Sequence, residues 1–235
     1  MVKYDNILKA IEEYIEKCLK YETYKYTNAN GETFNIDIAE IHKRTSFFKR
    51  LKEAKKTQPV ESKWRVITNT PNGEELGLEH WDNCRMFATK DGSTIAIQDN
   101  GTIISVCKNH DSKDNMAGLM QFAVDNGGDK LDTFDGNYGF YKHCGFEVMS
   151  WTPFSSYGQS MTGNREDAPY GWDSKIDNEE PIIFMEYTGN NENLSIDEAI
   201  REKADIYKNN PPADTYEEAV DEREREHLKT NRESI

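Results

Sequence analysis

The chain has 235 residues, with 29 Lys+Arg against 43 Asp+Glu and a formal net charge of −14. That balance excludes a general nucleic-acid binder, whose electrostatic footprint is basic. An aromatic content of 11 % excludes a disordered polymer, and no apolar run approaches the roughly 18 residues of a membrane span.

The first residues, MVKYDNILKAIEEYIEK, carry charges throughout and predict no secretory leader. Cys18, Cys84, Cys107 and Cys144 are scattered, and His42, His80, His110, His143 and His227 are equally dispersed. This pattern predicts a reducing cytoplasm, no disulfide framework and no metal site. The charge is uneven, with net +3 over 1–60, −11 over 61–188 and −6 over 189–235. These breaks divide the chain into an N-terminal helical region, a central domain and an acidic helical tail.

Within the first region, Ile7, Leu8, Ile11, Tyr14, Ile15, Cys18 and Leu19 form one stripe at helical spacing. Asn28–Gly31 signals a turn. A second helix is expected around Ile38, Ile41, Phe47, Phe48 and Leu51. Between 41 and 56 it carries Lys43, Arg44, Lys49, Arg50, Lys52, Lys55 and Lys56 against Glu53 alone. This stretch reads either as a solvated face or as a contact for an acidic partner or phosphate backbone. It is the one place where nucleic acid is not excluded by charge.

The central region predicts an antiparallel meander of Arg85–Thr89, Ser93–Gln98 and Thr102–Cys107, turned at Lys90-Asp91-Gly92 and Asp99-Asn100-Gly101. Asn115–Asn126 then reads as a buried helix stopped by Gly127-Gly128. Lys130–Phe134 is a strand, Asn137–Cys144 a short helix, Phe146–Pro153 a strand, 155–180 a long loop and Pro181–Tyr187 the last strand. Ser195 with Glu198 is a capping box opening a helix to Lys208. Pro211-Pro212 breaks that helix, and a second one from Thr215 or Asp214 to Lys229 is expected to be exposed, marginal or partner-dependent. The fold class is α+β, a mixed and mainly antiparallel sheet flanked by helices.

Two stretches carry a family resemblance. One is Ile103-Ile104-Ser105-Val106-Cys107-Lys108 followed by Lys113-Asp114-Asn115-Met116-Ala117-Gly118. The other is Gly139-Phe140-Tyr141-Lys142-His143-Cys144-Gly145-Phe146. Their order resembles the GNAT-type N-acetyltransferases. Gly127–Asp135, Trp151–Phe154, Ala168-Pro169 and Trp172 are similar to GNAT-like proteins of bacteriophages and mobile elements. The likeness covers roughly 85–188. It implies a strand edge for a pantetheine arm at Val106 and Lys108. It also implies a pyrophosphate cradle at Lys113, Asp114, Asn115, Met116, Ala117 and Gly118, with Tyr141 as acid toward the departing thiolate of acetyl-CoA. Met116 stands where the pattern has glycine, and Phe134 where it has asparagine. The implied activity is acetyl transfer from acetyl-CoA to an amine on a protein or small molecule, in a host cytoplasm if phage-encoded. The alternative is a non-catalytic accessory or virion-associated protein that binds a partner.

Read without the resemblance, 113–118 is equally an ordinary helix start with Asp114 or Asn115 as cap. Tyr141 is equally a core aromatic. Cys107 and Cys144 read as small buried hydrophobes. Asp99, His110, Asp132 and Glu147 are candidates for the base by position only. The loop holding Tyr157, Tyr170 and Trp172, with Glu166-Asp167, is the expected wall on the acceptor side, its acids suited to a cationic amine.

Overall fold

The structure, a computed structural model, describes residues 19–59, 83–153 and 181–233, with side chains to residue 226. The first expected helix, around 7–19, and the loop with Tyr157, Tyr170 and Trp172 lie outside the described residues. The elements run β1 (Glu22–Thr27), β2 (Thr33–Glu40), α1 (Arg44–Lys56), β3 (Arg85–Thr89), β4 (Thr94–Ile97), β5 (Ile103–Cys107), α2 (Met116–Asp125), β6 (Lys130–Phe134), α3 (Tyr138–His143), β7 (Phe146–Pro153), β8 (Pro181–Tyr187), α4 (Ile196–Asn209) and α5 (Tyr216–Glu233). No helix among the described residues is long and apolar enough to cross a membrane.

The segment 1–60 is not purely helical, contrary to the sequence expectation. β1 and β2 pair antiparallel, and β2 continues into the meander through Ile38↔Thr89 and Ala39↔Ala88. Phe34, Ile36 and Ile38 alternate with Asn35 and Asp37, a period of two that belongs to a strand. The helical spacing from Ile38 onward does not hold there: Ile38 lies in β2, and the helix starts at Arg44. The turn signal at Asn28–Gly31 joins the two strands, with the Gly31 amide donating to the Asn28 carbonyl at 2.9 Å.

The strands form two antiparallel sheets, ordered β1-β2-β3-β4-β5 and β6-β8-β7. A single parallel bridge, Thr102↔Lys130, joins them at the start of β5 and β6. Beyond it, among the described residues, β5 pairs only with β4 and β6 only with β8. The two strands therefore diverge, and each leaves an edge facing the other.

Each face is covered. On one, Ile36, Ile38, Phe87, Ile95 and Ile97 of the first sheet and Leu131, Ile183 and Met185 of the second pack with Leu119, Met120 and Ala123 of α2 and Tyr138, Tyr141 and Cys144 around α3. On the other, Phe47, Leu51 and Ala54 of α1 cover Met86, Ala88, Ala96 and Cys107. Phe134, Ile182 and Phe184 are covered there by Ala213 and Ala219, with Tyr216 and Val220 alongside.

The last group corrects the expectation for the tail. With few apolar residues, α5 is expected from the sequence to be exposed, marginal or partner-dependent. It docks through small ones, and Ala219 is fully buried while its carbonyl accepts from the Ser150 hydroxyl at 2.6 Å. Its charges also turn inward. Arg223, 3 % exposed, donates to the Leu131 carbonyl at 3.4 Å.

Candidate functional site

The place where the two sheets part is built by glycines. Gly127, at φ +91°, ends α2, and the Gly128 amide donates back to the Ala123 carbonyl at 2.9 Å. A Cβ on Gly128 would meet Ile103 Cγ1 at 2.6 Å, so only glycine lets β5 and the start of β6 approach this closely. The Asp129 amide donates to the Gly101 carbonyl at 3.0 Å, and the Asp129 carbonyl accepts from the Tyr187 amide at 2.8 Å. The apex of the fork is thus stitched to both sheets.

One side of the fork is a bulged strand. β4 and β5 pair at Ala96↔Ile104 and at Thr94↔Cys107, so Ser105 and Val106 together face the single residue Ile95. Ser105 is the one non-glycine residue among those described with a positive φ, +55°. That conformation costs roughly 1–2 kcal/mol for an L-residue. The Ser105 side chain is 4 % exposed, and its Oγ has no hydrogen-bond partner among the described residues. Strain and an unsatisfied polar group coincide on the strand that borders the gap. The sequence carries no signal for this bulge, since IISVC reads as an unbroken strand.

The stretch after β5 is tied to the end of α1. The Gln58 side-chain amide donates to the Lys108 carbonyl at 2.5 Å, and the Thr57 hydroxyl accepts from the His110 amide at 2.9 Å. His110 Nε2 lies 3.0 Å from Gln58 Oε1. Sequence reading missed Thr57 and Gln58, because nothing in the pattern TQP announces a loop 50 residues away.

The helix start at 113–118 is occupied by its own capping. The Asn115 side chain accepts the Gly118 amide at 2.9 Å, so Asn115 is the N-cap. Asp114 accepts from the Thr89 hydroxyl at 2.6 Å and from the Ser112 hydroxyl at 3.1 Å. Gly118 is demanded by packing, because a Cβ there would meet Ile36 Cδ1 at 2.6 Å and Tyr26 at 3.0 Å. Lys113 is exposed and Met116 and Ala117 are half-buried; Val106 packs partly buried against the α2 face. Val106 lies on β5, Lys108 follows it directly, and Lys113 sits in the connection that leads to α2. The Gly118 amide, however, already has an acceptor.

Tyr141 lies on α3, in the core on the face of β6 that carries Leu131. It is 7 % exposed, set edge-on to Phe140 and Phe146 with ring centroids at 5.0 and 6.2 Å. Burial first, then Cys144 and Asp132, hold its hydroxyl well above the usual phenol range, against a hydrogen bond with Thr133. The phenol keeps its proton at neutral pH. Tyr138, one turn earlier, donates to Glu202 of α4 at 2.7 Å and serves the fold.

The four base candidates separate. Asp99 sits in the β4–β5 turn and His110 is exposed. Glu147 is committed to Lys142 at 3.3 Å and Asn190 at 3.0 Å. Asp132 lies on β6 beneath α5, where burial raises its pKa against the opposing pull of Arg223 and a hydrogen bond from Tyr216. Burial pushes the thiols of Cys107 and Cys144 up to about 12, so neither is a thiolate nucleophile at neutral pH. No group of three or more His, Cys, Asp or Glu among the described residues could hold a metal ion. Comparison with known protein families, curated proteins and solved structures finds no match to this chain.

Proposed function

We propose that the chain is a GNAT-like N-acetyltransferase, in which acetyl-CoA enters the fork between β5 and β6 and an amine receives the acetyl group. The observation that carries this reading is the fork itself. Among the described residues the two neighbouring strands are bridged at Thr102↔Lys130 and pair no further, one of them is bulged at Ser105, and Tyr141, hydrogen-bonded to Thr133 of β6, keeps its hydroxyl protonated. An extended thioester arm needs a strand edge with unused backbone groups. A thiolate leaving group needs a proton donor close by. The strand order β6-β8-β7, with α2 and α3 on one face, supports the same reading.

Its test is acetyl-CoA-dependent release of free thiol in the presence of a primary amine. Wild-type chain should turn over, and Tyr141→Phe should lose roughly 10²-fold or more in kcat with acetyl-CoA affinity retained. Equal turnover in the variant would remove Tyr141 from the chemistry.

A second reading, a non-catalytic module that binds a partner, is favoured by the helix start. The Gly118 amide is capped by Asn115, Gly118 is explained by Ile36 and Tyr26, and the Asp114 carboxylate faces the same stretch. A cofactor-binding role for 113–118 then rests on Lys113. This reading predicts no acetyl-CoA binding.

A further inference from the structure

We propose that helix α4 is a self-association surface, whose outer face pairs antiparallel with the same face of a second copy of this chain about a twofold axis at Ile200. The proposal stands apart from the catalytic reading. It starts from exposure: among the described residues, Ile196 and Ile200 are the large hydrophobic side chains left open, at 80 % and 56 %.

The inner face of α4 is already in use. Ala199, Ile206 and Tyr207 pack against the main core. The Tyr138 hydroxyl donates to Glu202 at 2.7 Å, Lys203 pairs with Asp135 at 3.1 Å, and the Tyr207 ring lies 4.5 Å from that of Trp151. The capping box of Ser195 and Glu198 closes the first turn. The helix is therefore fixed on the domain and cannot turn its other side inward. On that other side Ile196, Ile200 and Ala204 recur every fourth residue, which lines them up along the helix, and all of them are exposed. A helix that served only the fold would be polar there.

The stripe is complementary to itself. In an antiparallel pair centred on Ile200, positions equally far before and after that residue face each other. Ile200 then meets Ile200 of the second copy, and Ile196 meets Ala204, a large side chain against a small one, as close packing requires. A parallel pair would set Ala204 against Ala204 and leave that end unfilled. Charge agrees with the antiparallel choice. Asp197 and Arg201 are both exposed on the same flank of the stripe. A twofold axis brings each flank onto itself, so Asp197 stands near Arg201 of the second copy, and Arg201 near its Asp197. An anionic lipid surface is a poor alternative occupant, because Asp197, Glu198 and Asp205 sit on the exposed part of the helix. One helix face is smaller than the roughly 800 Å² per partner of a standard interface. The dimer is accordingly weak, with a dissociation constant between about 10 μM and 1 mM.

Sedimentation of the full chain tests this at about 0.15 M salt, where repulsion between two acidic chains is largely screened. From micromolar to millimolar concentration, the mass should climb from 27.1 kDa toward twice that value. Ile200→Asp places two carboxylates on the axis and should remove the climb, with circular dichroism and Tm unchanged because the side chain is exposed. Asp197→Arg and Arg201→Asp should each weaken association roughly 3- to 10-fold, and the double variant should recover it to within about twofold. A monomer at every concentration would overturn the proposal, as would a dimer that Ile200→Asp leaves intact or a double variant no better than the singles. If Ile200→Asp does not fold, oxidative cross-linking decides, with the wild-type chain as background. Ile200→Cys should cross-link to itself, and Ile196→Cys should cross-link in mixture with Ala204→Cys more than alone. Yields at the wild-type background would overturn the pairing.

Discussion

The amide of Asp129 donates to the carbonyl of Gly101 at 3.0 Å, and a Cβ placed on Gly101 would meet Asp129 Oδ1 at 2.3 Å. The turn that closes the β4–β5 hairpin is thus pressed against the residue that opens β6. This contact sets where the two sheets cease to be one.

Gly101→Ala should be costly for two reasons. Gly101 holds φ +85°, and the new methyl would collide with Asp129. The expected loss is about 2–3 kcal/mol, or roughly 5–10 °C in Tm for a chain of this size. Thermal unfolding followed by circular dichroism measures it. A shift under about 1 °C would mean that the apex is loose.

Asn115→Ala removes the cap from the Gly118 amide and should cost about 1 kcal/mol. If acetyl-CoA phosphates use the same amide, the variant should bind acetyl-CoA no worse than wild type, because a competitor has gone. Weaker binding at unchanged folding would assign Asn115 itself to the ligand.

The pair Glu147–Lys142 predicts a pH dependence. Although burial opposes it, Asn190 and Lys142 hold the Glu147 carboxyl below the usual range. A depressed carboxyl contributes stability that is fully present above its unfolded value, near pH 4.3, and lost as pH falls through the folded one. Urea titrations stepped downward from pH 6 should show that loss, and Glu147→Gln should remove its share. Asp132 runs the other way. Its raised carboxyl weakens the fold as pH climbs from the ordinary value through the folded one, so Asp132→Asn should flatten a decline over that window.

Ending the chain before Thr215 would uncover Phe184, Ile182 and Phe134, all within 1 % of full burial. It would also leave Lys130 and Asp132 without Glu224 and Arg223. The shortened chain should bind a hydrophobic dye and melt at lower temperature. A truncation as stable as the full chain would contradict the docking of α5.

The meander, the Gly127-Gly128 stop and the strands at 130–134, 146–153 and 181–187 were legible because Asp-Gly and Asn-Gly turns and short apolar runs are local signals. The strand at 33–40 was not, because Ile38 and Ile41 also fit a helical spacing that continues into Phe47 and Leu51. Pairing with β3 decides for the strand, and pairing is not local. The bulge at Ser105 and the tether from Gln58 to Lys108 depend on neighbours distant in sequence. Arg223 was hidden for another reason: its helix is dominated by charge, and nothing in the local pattern marks Arg223 as a cation that points inward. Tyr141 and Asp132 could be named from the sequence, whereas their nearness across β6 could not.

The most direct test of the central claim is isothermal titration of the full chain with acetyl-CoA. The fork with its bulged strand predicts saturable one-to-one binding in the micromolar range, weakened when Lys113 is replaced by Ala. No heat of binding at millimolar acetyl-CoA would contradict it and leave the fork as a structural feature of a binding module.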